Sequence, residues 1–221
     1  MTAAEAAKDF IERMRNPIPD EFLTWGFQTL DETLYAELGD VILIGGRPSA
    51  GKTMLSVQLA MHQAQYWSVG YYSFETKTKK LVDRMISSRS QVLLSRIKDK
   101  DFSTRDWDAM SRAAVEHSKL KLDHIDASGM TVQDVMSMAL SRRQQIVFVD
   151  YLQLISGPGR GSYERVSNIS IDLHRAAQSN GIAVVALAQL SREEKNSKGQ
   201  LKGSEFFVAF PTDMQERSFT M

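Results

Sequence analysis

The chain has 221 residues, and hydrophobic and charged fractions of 43% and 24% exclude wholesale disorder and the fibrous classes, leaving one sizeable α/β domain with a short appendage. The absence of cysteine excludes a disulfide scaffold, a thiolate zinc site and a thiol nucleophile, and is compatible with a cytoplasmic chain. The 27 basic and 27 acidic side chains cancel, but unevenly: residues 1–40 hold nine acids against three bases, and residues 77–105 hold nine bases against three acids.

In chain order, residues 2–14 read as a short helix, with Thr2 as N-cap, Glu5 three residues on, and Phe10, Ile11 and Met14 on one face. The opening residues are not a signal peptide, and no apolar run approaches the roughly 18 residues of a membrane span. Two prolines among residues 16–20 favour an extended linker, so residues 1–20 are expected to be helix and linker and residues 21–221 the main domain. Phe27, Leu30 and Leu34 mark a second short helix after a turn near Gly26.

From residue 40 strands and helices alternate. Strands are predicted at 41–44, 69–74, 120–125, 146–149 and 182–187, and helices at 52–65, around 78–97, at 104–119, 131–143 and 163–179. Strands that are apolar throughout and separated by helices mean a mostly parallel sheet covered on both faces. The basic stretch at 77–105 is open to two readings, a phosphate-attracting surface or a solvated helical face.

Gly46, Arg47, Pro48, Ser49, Ala50, Gly51, Lys52 and Thr53 satisfy the phosphate-binding pattern G-x-x-x-x-G-K-[ST], directly after a buried strand and opening a helix. Glycines there let backbone N–H groups turn inward, and the helix N-terminus adds partial positive charge. Lys52 is expected to reach the β- and γ-phosphates of ATP and the Thr53 hydroxyl to ligate Mg²⁺. Asp150, a carboxylate ending four apolar residues, is the second expected Mg²⁺ residue. Glu75 and Gln189 each follow a strand whose C-terminal end faces the ligand crevice of an open parallel sheet. Glu75 is the candidate base for an attacking water, and Gln189 the candidate sensor of the γ-phosphate. A helix-capping or solvated residue is the competing reading for both.

The order of these motifs resembles one family, the ATPase domain of DnaB-type replicative DNA helicases, a RecA-like P-loop fold. The resemblance runs through residues 25–31 (Trp-Gly-Phe-Gln-Thr-Leu-Asp), 46–53, 72–75 (Tyr-Ser-Phe-Glu), Arg84, Asp106 with Trp107, 125–131, 149–154 (Val-Asp-Tyr-Leu-Gln-Leu) and 184–192 (Val-Val-Ala-Leu-Ala-Gln-Leu-Ser-Arg). It implies that Glu75 is the catalytic glutamate and that Gln189 couples nucleotide state to DNA. It further implies a hexameric ring, or association with other helicase subunits, with ATP at subunit interfaces and single-stranded DNA in the pore. The loops at 156–162 and 191–204 would then be pore loops, with Arg160, Lys195, Lys198 and Lys202 as phosphate contacts; a solvated loop is the alternative. The helix near 3–14 would correspond to the linker helix that packs on a neighbour.

The resemblance fades after about residue 205. Residues 206–221 are expected to be truncated or divergent relative to the family's C-terminal strands, with Arg217 as their only cation and no motif for an arginine finger. Two other functions therefore stay open: a RecA-like recombination or regulatory ATPase without unwinding, and a nucleotide-binding module that associates with a full-length helicase. His62, His117, His124 and His174 lack metal-ligand spacing and read as surface or packing histidines, and Trp25, Trp67 and Trp107 as packing residues.

Overall fold

A computed structural model of the chain describes residues 1–15, 22–189, 206–209 and 217–219. The chain falls into two compact units, Met1–Glu37 and Leu38–Met221.

In the first unit, helix α1 (Ala3–Arg15) opens as the sequence predicts: the Thr2 N–H donates to Glu5 Oε2 (2.6 Å) and the Glu5 N–H to Thr2 Oγ1 (3.3 Å). Its apolar residues Phe10, Ile11 and Met14 are exposed. A single short turn, α2 (Gln28–Asp31), lies in a segment closed on itself by hydrogen bonds. The Trp25 N–H donates to the Asp31 carboxylate, the Trp25 indole to the Leu34 carbonyl (3.2 Å), and the Leu23 N–H to the Ala36 carbonyl (2.7 Å).

The second unit carries β1 (Val41–Gly46), α3 (Lys52–Gln63), β2 (Val69–Ser73), α4 (Thr78–Ser90), α5 (Leu94–Asp99), α6 (Thr104–His117), β3 (Leu122–Asp126), α7 (Val132–Ser141), β4 (Ile146–Asp150), α8 (Ser162–Asn180) and β5 (Ala183–Gln189). Two further strands, β6 (Phe206–Ala209) and β7 (Arg217–Phe219), follow. The strand order is β3-β2-β4-β5-β1-β6-β7. The first five strands pair in parallel, as their apolar runs require, and β6 and β7 add antiparallel at the β1 edge. The sequence pattern predicts no strand after residue 187.

Strand alternation sorts the side chains to two faces. Tyr72, Val147, Val149, Val184 and Ala186 belong to the core shared with Val135 and Ala139 of α7 and Leu173 and Ala177 of α8. Residues of the other parity, among them Tyr71, Phe148 and Asp150, face the opposite side, where Ser56 of α3 meets Tyr71. Gly70 of β2 is tightly overlaid by side chains. A Cβ there would lie 2.6 Å from Gln144 Cδ and 2.7 Å from Tyr72 Cε2. Gln144 cannot yield, because its buried amide accepts from the Tyr72 hydroxyl (2.8 Å) and donates to Asp123 (2.7 Å).

One helix differs from the sequence expectation. The stretch predicted as continuous around 78–97 breaks after Ser90, where Gln91 turns left-handed (φ 59°). The Gln91 amide caps the Ser88 carbonyl (2.6 Å), the Ser87 hydroxyl caps that of Val92 (2.7 Å), and Val92 is thereby tucked into the interior. The break is bonded by side chains rather than signalled by glycine or proline. Trp107 packs as the sequence predicts, stacking on Phe102 (5.8 Å), and stays 56% exposed.

His117 of α6 and His124 of β3 do pack, ring on ring, with their Nε2 atoms 3.0 Å apart. Burial lowers both pKa values, that of His124 to about 4, with Arg89 adding to the effect at His117 and His117 at His124, while Asp123 opposes it at His124. The pair needs one neutral donor and one neutral acceptor. Below the usual histidine pKa of about 6.5 the unfolded chain takes up protons that the folded pair resists, so stability present above that pH is lost as pH falls toward 4. Thermal melts should show this loss, and His124→Gln should flatten it; a variant with the parent's pH profile would exclude the pair as its source.

Candidate nucleotide site

The C-terminal ends of the parallel strands share one edge of the sheet, and four predicted residues gather there. Gly46 closes β1 and pairs in register with Gln189 at the end of β5, while Ser73, two residues before Glu75, pairs with Asp150 of β4. Between Gly46 and α3 the chain makes a tight turn through Arg47, Pro48, Ser49 and Ala50, closed by the Ala50 N–H donating to the Arg47 carbonyl (3.2 Å). Ser49 (φ 63°) and Gly51 (φ 93°) are left-handed, the kind of backbone alternation from which anion-binding nests are built, here at the start of α3. Gly51 as N-cap supplies no side chain, so the first turn of α3 keeps its N–H groups free of a side-chain cap.

Lys52, half-buried, is the first residue of α3, and its ammonium donates to the carbonyls of Gly46 (2.9 Å) and Arg47 (2.8 Å). Burial lowers its pKa, opposed by the negative charges of Asp150 and Glu75. Asp150 is only 4% exposed. Burial raises its pKa, while hydrogen bonds from Thr53 and Tyr71 and the charge of Arg84 act the other way. Thr53 and Asp150 thus meet, as a shared metal role requires. As hard oxygen donors beside a phosphate-binding turn, they fit Mg²⁺, which takes one or two protein ligands and completes its shell with phosphate oxygens and water.

Glu75 is exposed, in a turn fixed on both sides. The Phe74 N–H donates to the Asp150 carbonyl (2.8 Å), and the Ser73 hydroxyl donates to the Thr76 carbonyl (2.6 Å) while accepting from the Thr76 N–H (3.2 Å). Gln189 is also exposed. Its backbone is held by the Gln153 side chain, which donates to the Gln189 carbonyl (2.9 Å) and accepts its N–H (3.3 Å) like a missing strand neighbour.

Arg160 stands in the loop before α8, with its N–H donated to Glu164 Oε2 (2.9 Å). That loop is shaped by close packing: Gly159 leaves no room for a Cβ against the Arg165 backbone (2.6 Å), and Asn168 donates to the Pro158 carbonyl (3.3 Å). Lys195, Lys198 and Lys202 fall outside the described residues.

Sequence reasoning assigned no role to Tyr71, Ser56, Arg84 or Gln153, all of which touch or influence this cluster. Gln153 and Arg84 stood inside family-like segments without a function attached. Tyr71 and Ser56 become visible only once the β2–β4 register and the face of α3 are known.

Residues 23–202 match the model of the DnaB-like helicase C terminal domain. A probable replicative DNA helicase of Guillardia theta is 32% identical over 177 residues, covering 76% of this chain and 30% of the relative. The replicative DNA helicase DnaC of Bacillus subtilis is 30% identical over 205 residues, 86% of this chain and 45% of the relative. The chain therefore spans less than half the length of these curated relatives. Among solved structures, one ATPase domain superposes with a TM-score of 0.79 at 28% identity, over 90% of this chain and 75% of that one. A DnaB-like replicative helicase studied with primase has a TM-score of 0.81 at 23% identity, over 99% of this chain and 64% of that one, and shares the fold. Among the described residues no helix is long and apolar enough to cross a membrane. By the match over residues 23–202, the chain belongs to the DnaB-like helicase C terminal domain family.

Proposed function

We propose that the chain is the ATP-hydrolysing motor domain of a replicative DNA helicase, acting in a ring of like subunits on single-stranded DNA. The observation that carries this reading is the convergence of the phosphate turn, Lys52, Thr53, Asp150 and the fixed Glu75 on one edge of the sheet. Backbone N–H groups of the turn and of the α3 N-terminus bind the phosphates. Lys52 leaves the loop carbonyls for the β- and γ-phosphate oxygens, a stronger, charge-assisted partnership. Thr53 and Asp150 would hold Mg²⁺, whose charge would offset that of the phosphates.

Glu75 orients a water for in-line attack on the γ-phosphorus and accepts its proton. The bond from the γ-phosphorus to its bridging oxygen breaks, giving ADP and phosphate. Gln189, exposed at the end of β5 with its backbone held by Gln153, senses the γ-phosphate through its amide and passes the change to residues 191–204. Arg160, Lys195, Lys198 and Lys202 contact DNA phosphates.

The direct test is phosphate release from Mg·ATP with and without an oligo-dT strand, together with oligomeric mass and strand displacement on a forked duplex. DNA stimulation that is weakened in Arg160→Ala supports the motor reading. Turnover indifferent to DNA in a chain that stays monomeric under all conditions would overturn it. DNA-stimulated turnover by an assembled ring without strand displacement would instead point to a recombination or regulatory ATPase.

A further inference from the structure

Tyr71 sits in the middle of β2 and is fully buried, its ring stacked parallel on Phe148 (5.9 Å, 5°). A phenylalanine would satisfy that packing. The hydroxyl is a separate matter, because a buried O–H is unfavourable unless it finds partners. It has two: Asp150 Oδ2 at 3.2 Å and Ser56 Oγ at 2.7 Å. Ser56 is itself buried, one turn after Thr53 on α3, and its hydroxyl lies 3.0 Å from the Thr53 carbonyl. A chain of side chains therefore runs from Asp150 through Tyr71 to Ser56, whose hydroxyl has two acceptors in reach, the Tyr71 hydroxyl and the Thr53 carbonyl.

Counting protons fixes the direction of this chain. Tyr71 and Ser56 each have one hydroxyl proton, and an ionised carboxylate can only accept. With Asp150 ionised, Tyr71 donates to Asp150 Oδ2 and Ser56 donates to Tyr71. The Thr53 carbonyl then needs no proton from Ser56, since it faces the next turn of its own helix. One oxygen of the carboxylate is thereby tied down by a rigid, stacked ring, and the whole group is held in a single orientation beside Thr53.

We propose that Tyr71, backed by Ser56, is a positioning residue for the divalent cation, setting the orientation in which Asp150 presents its carboxylate to the metal. This rests on the reading of Asp150 and Thr53 as the metal-holding residues. Partners of metal ligands typically change metal affinity by about 10–100-fold when removed, and the hydroxyl of Tyr71 is removable with little change in packing.

The test measures the affinity of the full chain for a fluorescent ADP analogue in Mg²⁺ and in EDTA, with Mn²⁺ titration of the ADP-bound protein as a direct reading of the metal. Tyr71→Phe should reduce the gain in affinity that Mg²⁺ confers by about tenfold or more and weaken Mn²⁺ binding to match, with affinity in EDTA unchanged. Ser56→Ala, a change that favours the helix, should act in the same direction by less. If Tyr71→Phe keeps the parent's Mg²⁺ gain, or loses affinity equally in Mg²⁺ and EDTA with a lowered urea midpoint, the hydroxyl serves packing and the proposal is wrong. If Asp150→Asn also keeps the full Mg²⁺ gain, the failure lies in the assignment of Asp150, and this proposal falls with it.

Discussion

Glu75→Gln should abolish most turnover while leaving nucleotide binding close to that of the parent. The substitution keeps the shape of the side chain and removes its charge and basicity. It leaves the turn intact, because the turn is fixed by Phe74 pairing with Asp150 and by Ser73 bridging to Thr76, not by the Glu75 side chain. A positioned base contributes about 10²–10⁴-fold in rate, and a loss of that size in phosphate release is the expected result. Affinity for a non-hydrolysable ATP analogue should hold or rise slightly, since one negative charge near the phosphates is gone. Normal turnover would remove Glu75 from the chemistry and leave it as an exposed turn residue.

Why Glu75 was legible in the sequence and Tyr71 was not follows from how each is specified. Glu75 needs only the end of a strand and the rule that parallel strands present their C-terminal ends together. The same rule reaches Asp150 and Gln189, and the loop at 46–53 announces itself by its glycines and its place between strand and helix. Tyr71 needs the register that sets it beside Phe148 and the rotation of α3 that brings Ser56 to it, and both are decided by tertiary pairing. Gln153 is similar: its amide replaces a strand neighbour for Gln189 across 36 residues of chain. The break at Gln91 was hidden for a local reason. Side-chain bonds from Ser87 and Gln91 stabilise a left-handed residue where the periodicity runs on as helix. In each case the missing information is a polar side chain bonding a backbone or a buried group, which apolar periodicity does not encode.

Lys52→Ala should separate function from stability. A cation at the first position of a helix is poorly placed, since the N-terminal end of the helix dipole disfavours positive charge by about 0.3–1 kcal/mol. Burial lowers the Lys52 pKa as well, and its ammonium is held by two loop carbonyls. Alanine is the better helix former there, and this gain offsets the loss of the hydrogen bonds to the carbonyls of Gly46 and Arg47. The thermal midpoint of the free chain is thus expected to stay about level. Nucleotide affinity should fall by about 10–100-fold, the worth of one hydrogen bond to a charged group at roughly 1.5–3 kcal/mol. Turnover should fall further, by about 10²–10³-fold, because charge on the γ-phosphate oxygens is redistributed as the bond breaks. A cation that disfavours the helix it opens is explained by a ligand that the free protein lacks. Calorimetric melts and analogue binding on one preparation decide the point: parental affinity in Lys52→Ala would refute the phosphate role, and a midpoint falling in step with affinity would make Lys52 a structural tie between β1 and α3.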